Sequence, residues 1–404
     1  MEVIKVIQIN TTCNWGSTGH IAEGIGNAII NTGGKNYILY GRYGNPSNSY
    51  AYKYNKKIDF YYHILQTRLF DRHGLASNIA TRKIIDAIRQ LKPNIIHLHN
   101  IHGYYLNYKI LFKFLSETNI PIVWTLHDCW SYTGHCAYYS YIKCERWKIG
   151  CHNCPQTTSY PSTWCFDRSE NNYLDKKYFF TSVKNMTIVP VSNWLANELK
   201  SSFLNKYPIK VIHNGINLDI FCPQKIHKKD FGVDDKFVIL GVASNWEKRK
   251  GLNDFIYLRT LLPSEFIIIL IGLSESQIKK MPKGIIGIRR TNNVQELAKY
   301  YSVSDVYINF SVEETFGMTT CESLACGTPI IVYNSTACPE IVSKDTGFII
   351  EPGDFESVID AIQKIKILGK NKYQNICRQR AVQHFNKEDK YIEYINLYNQ
   401  LIKG

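Results

Sequence analysis

The 404-residue sequence has no apolar run long enough to cross a bilayer, and its longest runs, such as Phe266–Leu273, have the length of buried strands. The opening residues MEVIKVIQIN lack the apolar core and cleavage site of a signal peptide, so we expect a cytoplasmic protein. Helix-turn-helix, zinc-finger and RNA-recognition signatures are also missing, which argues against nucleic acid as a partner. In a reducing compartment, the twelve cysteines are expected to be thiols or metal ligands.

Acidic residues are too few to balance the basic ones: 34 Asp and Glu face 48 Lys and Arg, for a net charge of +14. This excess favours an anionic partner such as a phosphate-bearing substrate or an anionic lipid surface, although a solvated basic surface would also explain it. With 45% apolar and 20% charged residues, the composition is that of a globular protein, and the length predicts two or three domains.

The first half of the chain has the pattern of a doubly wound α/β domain. A strand at 3–9, a turn at 14–19 and a helix at 20–31 form its opening unit. The turn would bring Gly16 close to a phosphate at the helix N-terminus, or serve only as a tight turn. A later strand, Ile122–Leu126, ends at His127, and ligands in such folds bind beyond the carboxyl ends of strands. His97, on another strand, is expected to line the same cleft.

Residues 43–73 are rich in Tyr, Asn and Lys, and two interpretations remain open for them. Basic residues precede an aromatic and aliphatic stretch, which is typical of an element resting on anionic lipid. An irregular connection at the edge of the domain is the alternative.

The second half repeats the pattern from the strand Phe237–Val242 onward. Three basic residues, including Arg249 and Lys250, stand before Gly251 at the following turn, where they could bind phosphate. Further on, residues 313–339 read EETFGMTTCESLACGTPIIVYNSTACP. A helix at 319–325 would end near Gly327, with one carboxylate at each end and its N-terminal amides facing an anion. Carboxylates and an anion site together indicate a ligand with both hydroxyls and phosphates, such as a sugar nucleotide.

The motif E-T-F-G-x4-E-S-L-A-C-G-T-P resembles the Glu-x7-Glu signature of retaining glycosyltransferase family 4, and further blocks match over nearly the whole chain. The resemblance is to enzymes of capsule, colanic acid and lipopolysaccharide biosynthesis. It implies the GT-B fold, in which two Rossmann-like domains face a cleft. We therefore expect an acceptor domain at 1–213 with a Cys-rich insertion at about 129–165, a donor-nucleotide domain at 214–385, and a C-terminal helix at 386–404 crossing back to the first domain.

The resemblance also implies the roles of the site residues. His127 and Glu314 would be catalytic, Glu314 holding sugar hydroxyls, and Glu322 would bind the ribose of the donor. Where the family has an upstream arginine this sequence has Ser244, and Arg249 is expected to take its place. The predicted donor-binding residues are Gly16, Arg249, Lys250, Phe316, Gly317, Met318 and Glu322.

The resemblance further implies retaining transfer of a hexose-type sugar from a UDP- or GDP-sugar to a glycan or polyprenyl-diphosphate-linked acceptor in surface polysaccharide biosynthesis. The reaction should need no metal, because the basic residues stabilise the departing diphosphate and the chain lacks an Asp-x-Asp motif. The enzyme would work in the cytoplasm, at the inner face of the membrane. Two alternatives remain: a GT-B-fold sugar-nucleotide epimerase, and a non-catalytic subunit that binds a sugar nucleotide or carbohydrate.

A separate prediction concerns four cysteines within nineteen residues: Cys136, Cys144, Cys151 and Cys154. Four thiolates suit tetrahedral Zn²⁺, and the segment has little apolar periodicity with which to order itself. A structural zinc ion is therefore predicted, with His135 and His152 as spare ligands. Reduced, partly buried thiols and an iron–sulfur cluster are the alternatives.

Overall fold

The computed structural model describes residues 3–403 and divides the chain into two compact units. The first runs to His213 and takes in the residues from Lys390 onward, whereas the second is Asn214–Asp389. Among the described residues, no helix is both long enough and apolar enough to pass through a bilayer.

The first unit is built on a sheet of six parallel strands in the order β3-β2-β1-β4-β5-β6. Its apolar interior strands are buried on both faces, as parallel sheets require. The chain leaves β1 toward β2 on one side and later returns to place β4 on the other, so a topological switch point lies between β1 and β4. The strands are β1 Lys5–Asn10, β2 Lys35–Tyr40, β3 Tyr50–Lys53, β4 Ile95–Leu98, β5 Ile122–Leu126 and β6 Met186–Pro190.

Five helices connect these strands and a sixth follows β6, and two of the six begin at side-chain caps. Asn107 Oδ1 accepts hydrogen bonds from the amides of Lys109 and Ile110, and Ser192 Oγ accepts one from Leu195. The helices are α1 Gly16–Asn31, α2 Lys57–Phe70, α3 Asn78–Leu91, α4 Tyr108–Glu117, α5 Ser169–Phe180 and α6 Asn193–Lys200.

The second unit repeats the architecture with the strand order β12-β11-β10-β7-β8-β9, again all parallel. Its switch point lies between β7 and β10. The strands are β7 Phe237–Val242, β8 Phe266–Ile271, β9 Ile285–Ile288, β10 Val306–Asn309, β11 Ile330–Tyr333 and β12 Gly347–Ile350. The remaining helices are α7 Leu252–Leu261, α8 Glu275–Ile278, α9 Val294–Val303, α10 Met318–Ala325, α11 Phe355–Leu368, α12 Lys370–Phe385 and α13 Lys387–Lys403.

The C-terminal part of α13 belongs to the core of the first unit. Tyr391, Tyr394 and Tyr398 are buried among apolar side chains of that unit. Helix α1 approaches so closely that a Cβ on Gly24 would lie 2.2 Å from Cζ of Tyr391. The Tyr398 hydroxyl is 2.6 Å from Nδ1 of His97, which is fully buried. His97 is therefore a core residue, and the expectation that it lines a cleft is wrong.

Two local expectations for the first unit are also wrong. Helix α1 begins at Gly16 rather than near residue 20, because Gly19 packs inside its first turn, where a Cβ would lie 2.8 Å from Thr12 Oγ1. Residues 43–73 are not an irregular connection, since they contain the edge strand β3 and the helix α2.

Candidate active site

The basic turn of the second unit follows β7 and lies against the end of β10, at the switch point of this sheet. Residues 248–250 form one short 3₁₀ turn that ends at Gly251, whose φ is +76°. A Cβ on Gly251 would lie 2.4 Å from Cβ of Phe310, so only glycine allows the turn to pack this closely. The amide of Val312 donates to the carbonyl of Arg249 at 2.9 Å, which ties the turn to the segment carrying Glu314.

Lys250 and Glu314 form an ion pair of 2.5 Å between Nζ and Oε1, although they lie 64 residues apart in the chain. Their side chains are only 16% and 18% exposed, so the pair interacts with little screening by water. Glu314 is fixed from its backbone: its amide donates to Thr336 Oγ1 at 2.9 Å, and its carbonyl accepts from the amide of Ala337 at 3.2 Å. The structure therefore brings together two residues that the sequence placed in one site.

Arg249 belongs to the same turn but has other partners. Its Nη1 donates to the carbonyl of Glu313 at 3.2 Å, and its Nε lies 3.1 Å from a carboxylate oxygen of Glu247. The guanidinium thus bridges the turn and the segment after β10, which places a second positive charge beside Lys250 in sequence and in structure.

The N-terminus of α10 follows directly on this segment. Gly317 adopts a φ of +104°, and a Cβ there would lie 2.9 Å from Ile341 Cδ1, so the chain can enter the helix here only as glycine. Its carbonyl accepts from the amides of Thr320 and Cys321. Phe316 is buried with its ring 5.9 Å from that of Phe385, and Met318 begins the helix. These contacts hold the positive end of the helix dipole next to the Lys250–Glu314 pair along the chain.

Glu322 lies inside α10, whereas Glu314 lies four residues before the helix, so the expectation of one carboxylate at each end is wrong. The Tyr301 hydroxyl donates to Glu322 Oε2 at 2.8 Å. Burial raises the pKa of Glu322 to about 7. Near neutral pH this carboxyl can therefore hold or release a proton, and it can accept a hydrogen bond from a ligand hydroxyl when ionised.

In the first unit, the predicted residues stand at the ends of β1 and β5. Gly16 opens α1 with a φ of +65°, and no atom would lie within 4 Å of a Cβ there, so its backbone is accessible to a ligand. His127 follows β5, and its Nε2 is 3.3 Å from Nδ1 of His99. Burial lowers the pKa of His127 to about 4, so its imidazole is neutral at physiological pH.

A neighbouring pair was missed by the sequence reasoning. His102 Nε2 lies 2.9 Å from Asp128 Oδ2, and Asp128 Oδ1 accepts from the amide of Trp130. Burial alone would raise the pKa of Asp128, but the charge and hydrogen bond of His102 bring it below its usual value. The available signal was the position of both residues, since Asp128 directly follows His127 and His102 lies just beyond β4.

The four predicted zinc ligands, Cys136, Cys144, Cys151 and Cys154, all line one cavity of the first unit. Both spare ligands, His135 and His152, line it as well. Within residues 3–403, however, no three His, Cys, Asp or Glu side chains already stand together as a metal site.

Two family models match the chain. The model of glycosyltransferase family 4 matches residues 37–220, and that of the group 1 glycosyl transferases matches residues 236–366, so between them they cover most of the sequence. The chain belongs to the family 4 glycosyltransferases. The resemblance read from the Glu-x7-Glu motif and the prediction of a glycosyltransferase are thereby confirmed.

Named relatives of this family 4 glycosyltransferase include bacterial proteins of surface polysaccharide synthesis. It is 22% identical to the WcaC protein of Escherichia coli K12, which is named as a colanic acid biosynthesis glycosyl transferase; the match covers 98% of this chain and all of that one. It is 25% identical, over 50% of its length and 57% of the relative's, to an E. coli UDP-Gal:α-D-GlcNAc-diphosphoundecaprenol α-1,3-galactosyltransferase.

Solved structures show the same fold. The sucrose-phosphate synthase of Thermosynechococcus elongatus superposes with a TM-score of 0.71 over 99% of both chains, at 16% identity. HepE of Anabaena, solved in complex with UDP-glucose, superposes with a TM-score of 0.64 over 98% of this chain and all of that one, at 13% identity. The predicted GT-B architecture, with two doubly wound parallel sheets, is confirmed.

Proposed function

We propose that this glycosyltransferase transfers a hexose-type sugar, with retention, from a UDP- or GDP-sugar to a lipid-linked glycan acceptor in surface polysaccharide synthesis. The observation that carries the proposal is the shielded Lys250–Glu314 pair, which lies at the switch point of its sheet and next to the start of α10. The relatives named for colanic acid synthesis and for a diphosphoundecaprenol acceptor support the acceptor class.

Within the second unit, the donor diphosphate would be bound by Lys250, Arg249 and the backbone of Phe316, Gly317 and Met318. Negative charge grows on this group as the glycosidic bond breaks, and preorganised cations and amides stabilise that charge more than the ground state. These cations take the part that a metal plays in other transferases, so no metal is required for the transfer itself. The Lys250–Glu314 pair keeps the ammonium in position before the donor arrives.

Glu314 would then bind sugar hydroxyls, and Glu322 the ribose hydroxyls of the nucleotide. The sugar passes through an oxocarbenium-like centre, and no carboxylate nucleophile needs to be assigned. In the first unit, the neutral imidazole of His127 can form a hydrogen bond, as donor or as acceptor, with a hydroxyl of the sugar or of the acceptor. Gly16 offers its backbone to a phosphate at the start of α1.

The test is a screen of UDP- and GDP-sugars for donor hydrolysis and for transfer to a polyprenyl-diphosphate-linked glycan. We expect one donor to be turned over, and Glu314→Gln to lower turnover by about 100-fold. Binding of the free nucleotide should change little, because the side-chain oxygen of Gln can still accept from Lys250 and the lost contact is to the sugar. Isothermal titration with UDP and GDP gives the binding control. Epimerised nucleotide sugar without transfer would contradict the proposal, and so would full activity of Glu314→Gln.

We further propose that the enzyme docks on the cytoplasmic face of the membrane through α2. Its outer face carries the exposed apolar side chains Ile58, Tyr61, Tyr62 and Leu65, spaced at i, i+3, i+4 and i+7. The inner face is fixed by His63 and Thr67, the two buried residues of the helix. A helix on a water-exposed surface normally turns its apolar face toward the protein core. In α2 an apolar face points to solvent instead, which favours contact with lipid.

Neighbouring groups extend the lipid-binding face of α2. Trp164 is 71% exposed and donates its amide to the carbonyl of Arg68 at 2.7 Å, and the exposed Phe166 stacks on Phe70 at 5.9 Å. Tryptophan is favoured at the interface between water and lipid. The exposed Lys56 and Lys57 at the start of the helix would contact anionic headgroups.

Vesicle co-sedimentation tests this docking. Wild-type protein should bind phosphatidylglycerol vesicles better than phosphatidylcholine vesicles. Binding to the anionic vesicles should weaken as salt rises, because charged contacts are screened. A Tyr61→Asp/Leu65→Asp double variant should lose binding, whereas a Leu174→Asp/Tyr178→Asp double variant should keep it. Leu174 and Tyr178 are equally exposed apolar residues on α5. Equal binding by all three proteins would contradict the role of α2.

A further inference from the structure

The segment between β5 and α5 is long and has little regular structure of its own. Between residues 127 and 168 it contains only two short 3₁₀ turns, Trp130–Tyr132 and Arg146–Lys148. Loops of this length in a compact domain are uncommon unless they are disordered or held by something other than secondary structure. Here the loop is packed: Trp130, Tyr132 and Trp147 are fully buried.

Four cysteines of this segment line a single cavity beneath Trp147. Cys136 is 7% exposed, and Cys144, Cys151 and Cys154 are partly buried. Their common place in the lining of this cavity is what brings the four thiols into one neighbourhood. All four are free thiols in the structure, with no disulfide among them.

A buried positive charge accompanies the thiols. Lys176 is 1% exposed; its Nζ donates to the carbonyls of Trp130 and Thr133 at 2.7 and 2.9 Å and lies 3.6 Å from the centre of the Trp130 ring. Among the described residues, no carboxylate lies within ion-pair distance of it. An ammonium buried with carbonyls alone is costly, and a neighbouring anion would offset that cost. Besides Asp71 and Asp128, whose charges act on Lys176, ionised Cys151 and Cys136 would supply such an anion.

A buried ring nitrogen at this cavity lacks a hydrogen-bond partner among the described residues. His135 lines the cavity and is bonded through Nδ1 to Asp71 at 2.7 Å, while its Nε2 is buried without a hydrogen-bond partner in the part of the chain that is described. Histidines held by a carboxylate through one ring nitrogen and open at the other are typical of metal sites and their immediate surroundings. The unpaired ring nitrogen of His135 therefore belongs to a residue that lines the same cavity as the four thiols.

We propose that this cavity holds one Zn²⁺ ion ligated by the thiolates of Cys136, Cys144, Cys151 and Cys154. Four thiolates and Zn²⁺ carry a net charge of −2, which compensates the buried Lys176, and soft sulfur ligands favour zinc over harder cations. The thiols must turn further into the cavity to reach the ion, since no three of the described His, Cys, Asp and Glu side chains yet form a metal site. Binding releases the thiol protons to solvent, so the site fills more readily as pH rises.

The metal would brace the strand end that carries His127. The amide of Cys129, two residues after His127, donates to the carbonyl of Ala137 at 3.0 Å, and Ala137 adjoins Cys136. The amide of Ala137 in turn donates to the carbonyl of Tyr160, whose hydroxyl is 3.2 Å from His102 Nδ1. An ion fixing Cys136 therefore fixes the loop around His102, Asp128 and His127. The ion takes no part in the chemistry.

Metal analysis of protein purified without chelators under reducing conditions is the direct test. We expect one zinc per chain, and Cys144→Ser, Cys151→Ser or Cys154→Ser should each lower zinc content at least tenfold. Cys165→Ser is the matched control, because Cys165 is exposed, lies in the same segment and does not line the cavity. It should retain full zinc. Substituting Co²⁺ should give the intense near-ultraviolet thiolate absorption of a tetrahedral sulfur site.

Because a cysteine variant that fails to fold would lose zinc for that reason alone, a second measurement uses the wild-type protein. A strong chelator should remove the zinc and lower the melting temperature, and adding Zn²⁺ back should restore it. No zinc in the fresh protein and none taken up on titration would overturn the proposal. Disulfides among these four cysteines in non-reducing peptide maps would overturn it too. Zinc retained by Cys136→Ser but lost from His135→Ala would overturn the four-thiolate set in favour of three thiolates and His135.

Discussion

The two units share one architecture, but different side chains stand at the ends of their strands. At the switch point of the second unit, the side chains are charged: Lys250 and Glu314 form a shielded ion pair. At the corresponding edge of the first unit, His99 and His127 have a pKa far below the usual value because of burial and are neutral. The same fold therefore presents a shielded lysine–glutamate ion pair in the second unit, and in the first unit neutral imidazoles beside the ionised carboxylate of Asp128.

From this difference we propose that the second unit binds the donor diphosphate and the first unit the acceptor. A diphosphate carries charge that grows during transfer and needs positive groups that are already in place. An acceptor hydroxyl needs only a hydrogen-bonding group, for which a neutral imidazole is suited. Substitutions in each unit test this division, and the largest effect is expected at Lys250.

Replacing Lys250 should affect donor binding and the stabilisation of the departing diphosphate, which are the roles proposed for the second unit. Lys250→Ala should lower turnover by about 100- to 1000-fold and weaken UDP or GDP binding, since a shielded charge-assisted contact is removed. Lys248→Ala, at an exposed position of the same turn, should behave as wild type. His127→Gln should lower turnover while nucleotide binding stays unchanged. Calorimetric titration measures the binding, and a loss of nucleotide affinity in His127→Gln would break the comparison.

The pH dependence of stability should have opposite signs in the two units. Glu322 has a pKa of about 7 in the folded protein, above its unfolded value, so its contribution to stability is full below about pH 4.5 and is lost as pH rises to 7. His127 has a pKa of about 4, below its unfolded value, so its contribution is full above about pH 6.5 and is lost as pH falls to 4. Each effect amounts to about 3 kcal/mol.

Melting temperatures measured from pH 4.5 to 7 separate these contributions. Relative to wild type, Glu322→Gln should gain stability as pH rises, because the variant has no carboxyl to ionise. His127→Gln should gain relative stability as pH falls, because it has no buried imidazole to protonate. Parallel curves for the three proteins would show that neither group titrates as its surroundings imply.

The smallest difference concerns the glycine after the first strand of each unit. Gly16 and Gly251 both have positive φ, so alanine strains the backbone at each by about 1–2 kcal/mol. At Gly251 the added Cβ would also lie 2.6 Å from the carbonyl oxygen of Phe310, whereas at Gly16 it meets nothing within 4 Å. Denaturant unfolding should therefore show Gly251→Ala to be the less stable variant by a further ~1–3 kcal/mol. Equal losses would contradict the close packing of the basic turn.

Much of the fold could be predicted from local patterns in the sequence. The bounds of β5 and β7 agree with the expected strands, because continuous apolar runs fit buried parallel strands. For residues 43–73 the sequence allows two interpretations, because the apolar residues of α2 face outward and a sequence pattern does not tell which face of a helix is buried. The start of α1 was misplaced because Gly19 fits inside a helix once Thr12 packs against it.

The site was only partly predictable for a similar reason. The motif around Glu314 and the basic turn at Lys250 could each be read from the sequence, but their pairing depends on β10 lying beside β7. Strand order is a property of the whole sheet, and no local spacing encodes it. The His102–Asp128 pair depends in the same way on β4 lying beside β5.

The path of α13 has a consequence for how the protein is made. Its tyrosines complete the core around His97 and Ile25, so the first unit to be synthesised is also the last to be finished. At about 5–20 residues per second, the ribosome needs roughly 10–40 s to go from the end of that unit's main segment to Tyr391. During this interval the apolar side chains that pack with α13 in the finished fold, such as Ile25, lack those contacts. A chaperone that binds apolar surface would therefore act during this interval. Translation of an mRNA truncated before α13 would yield a first unit whose core stays incomplete.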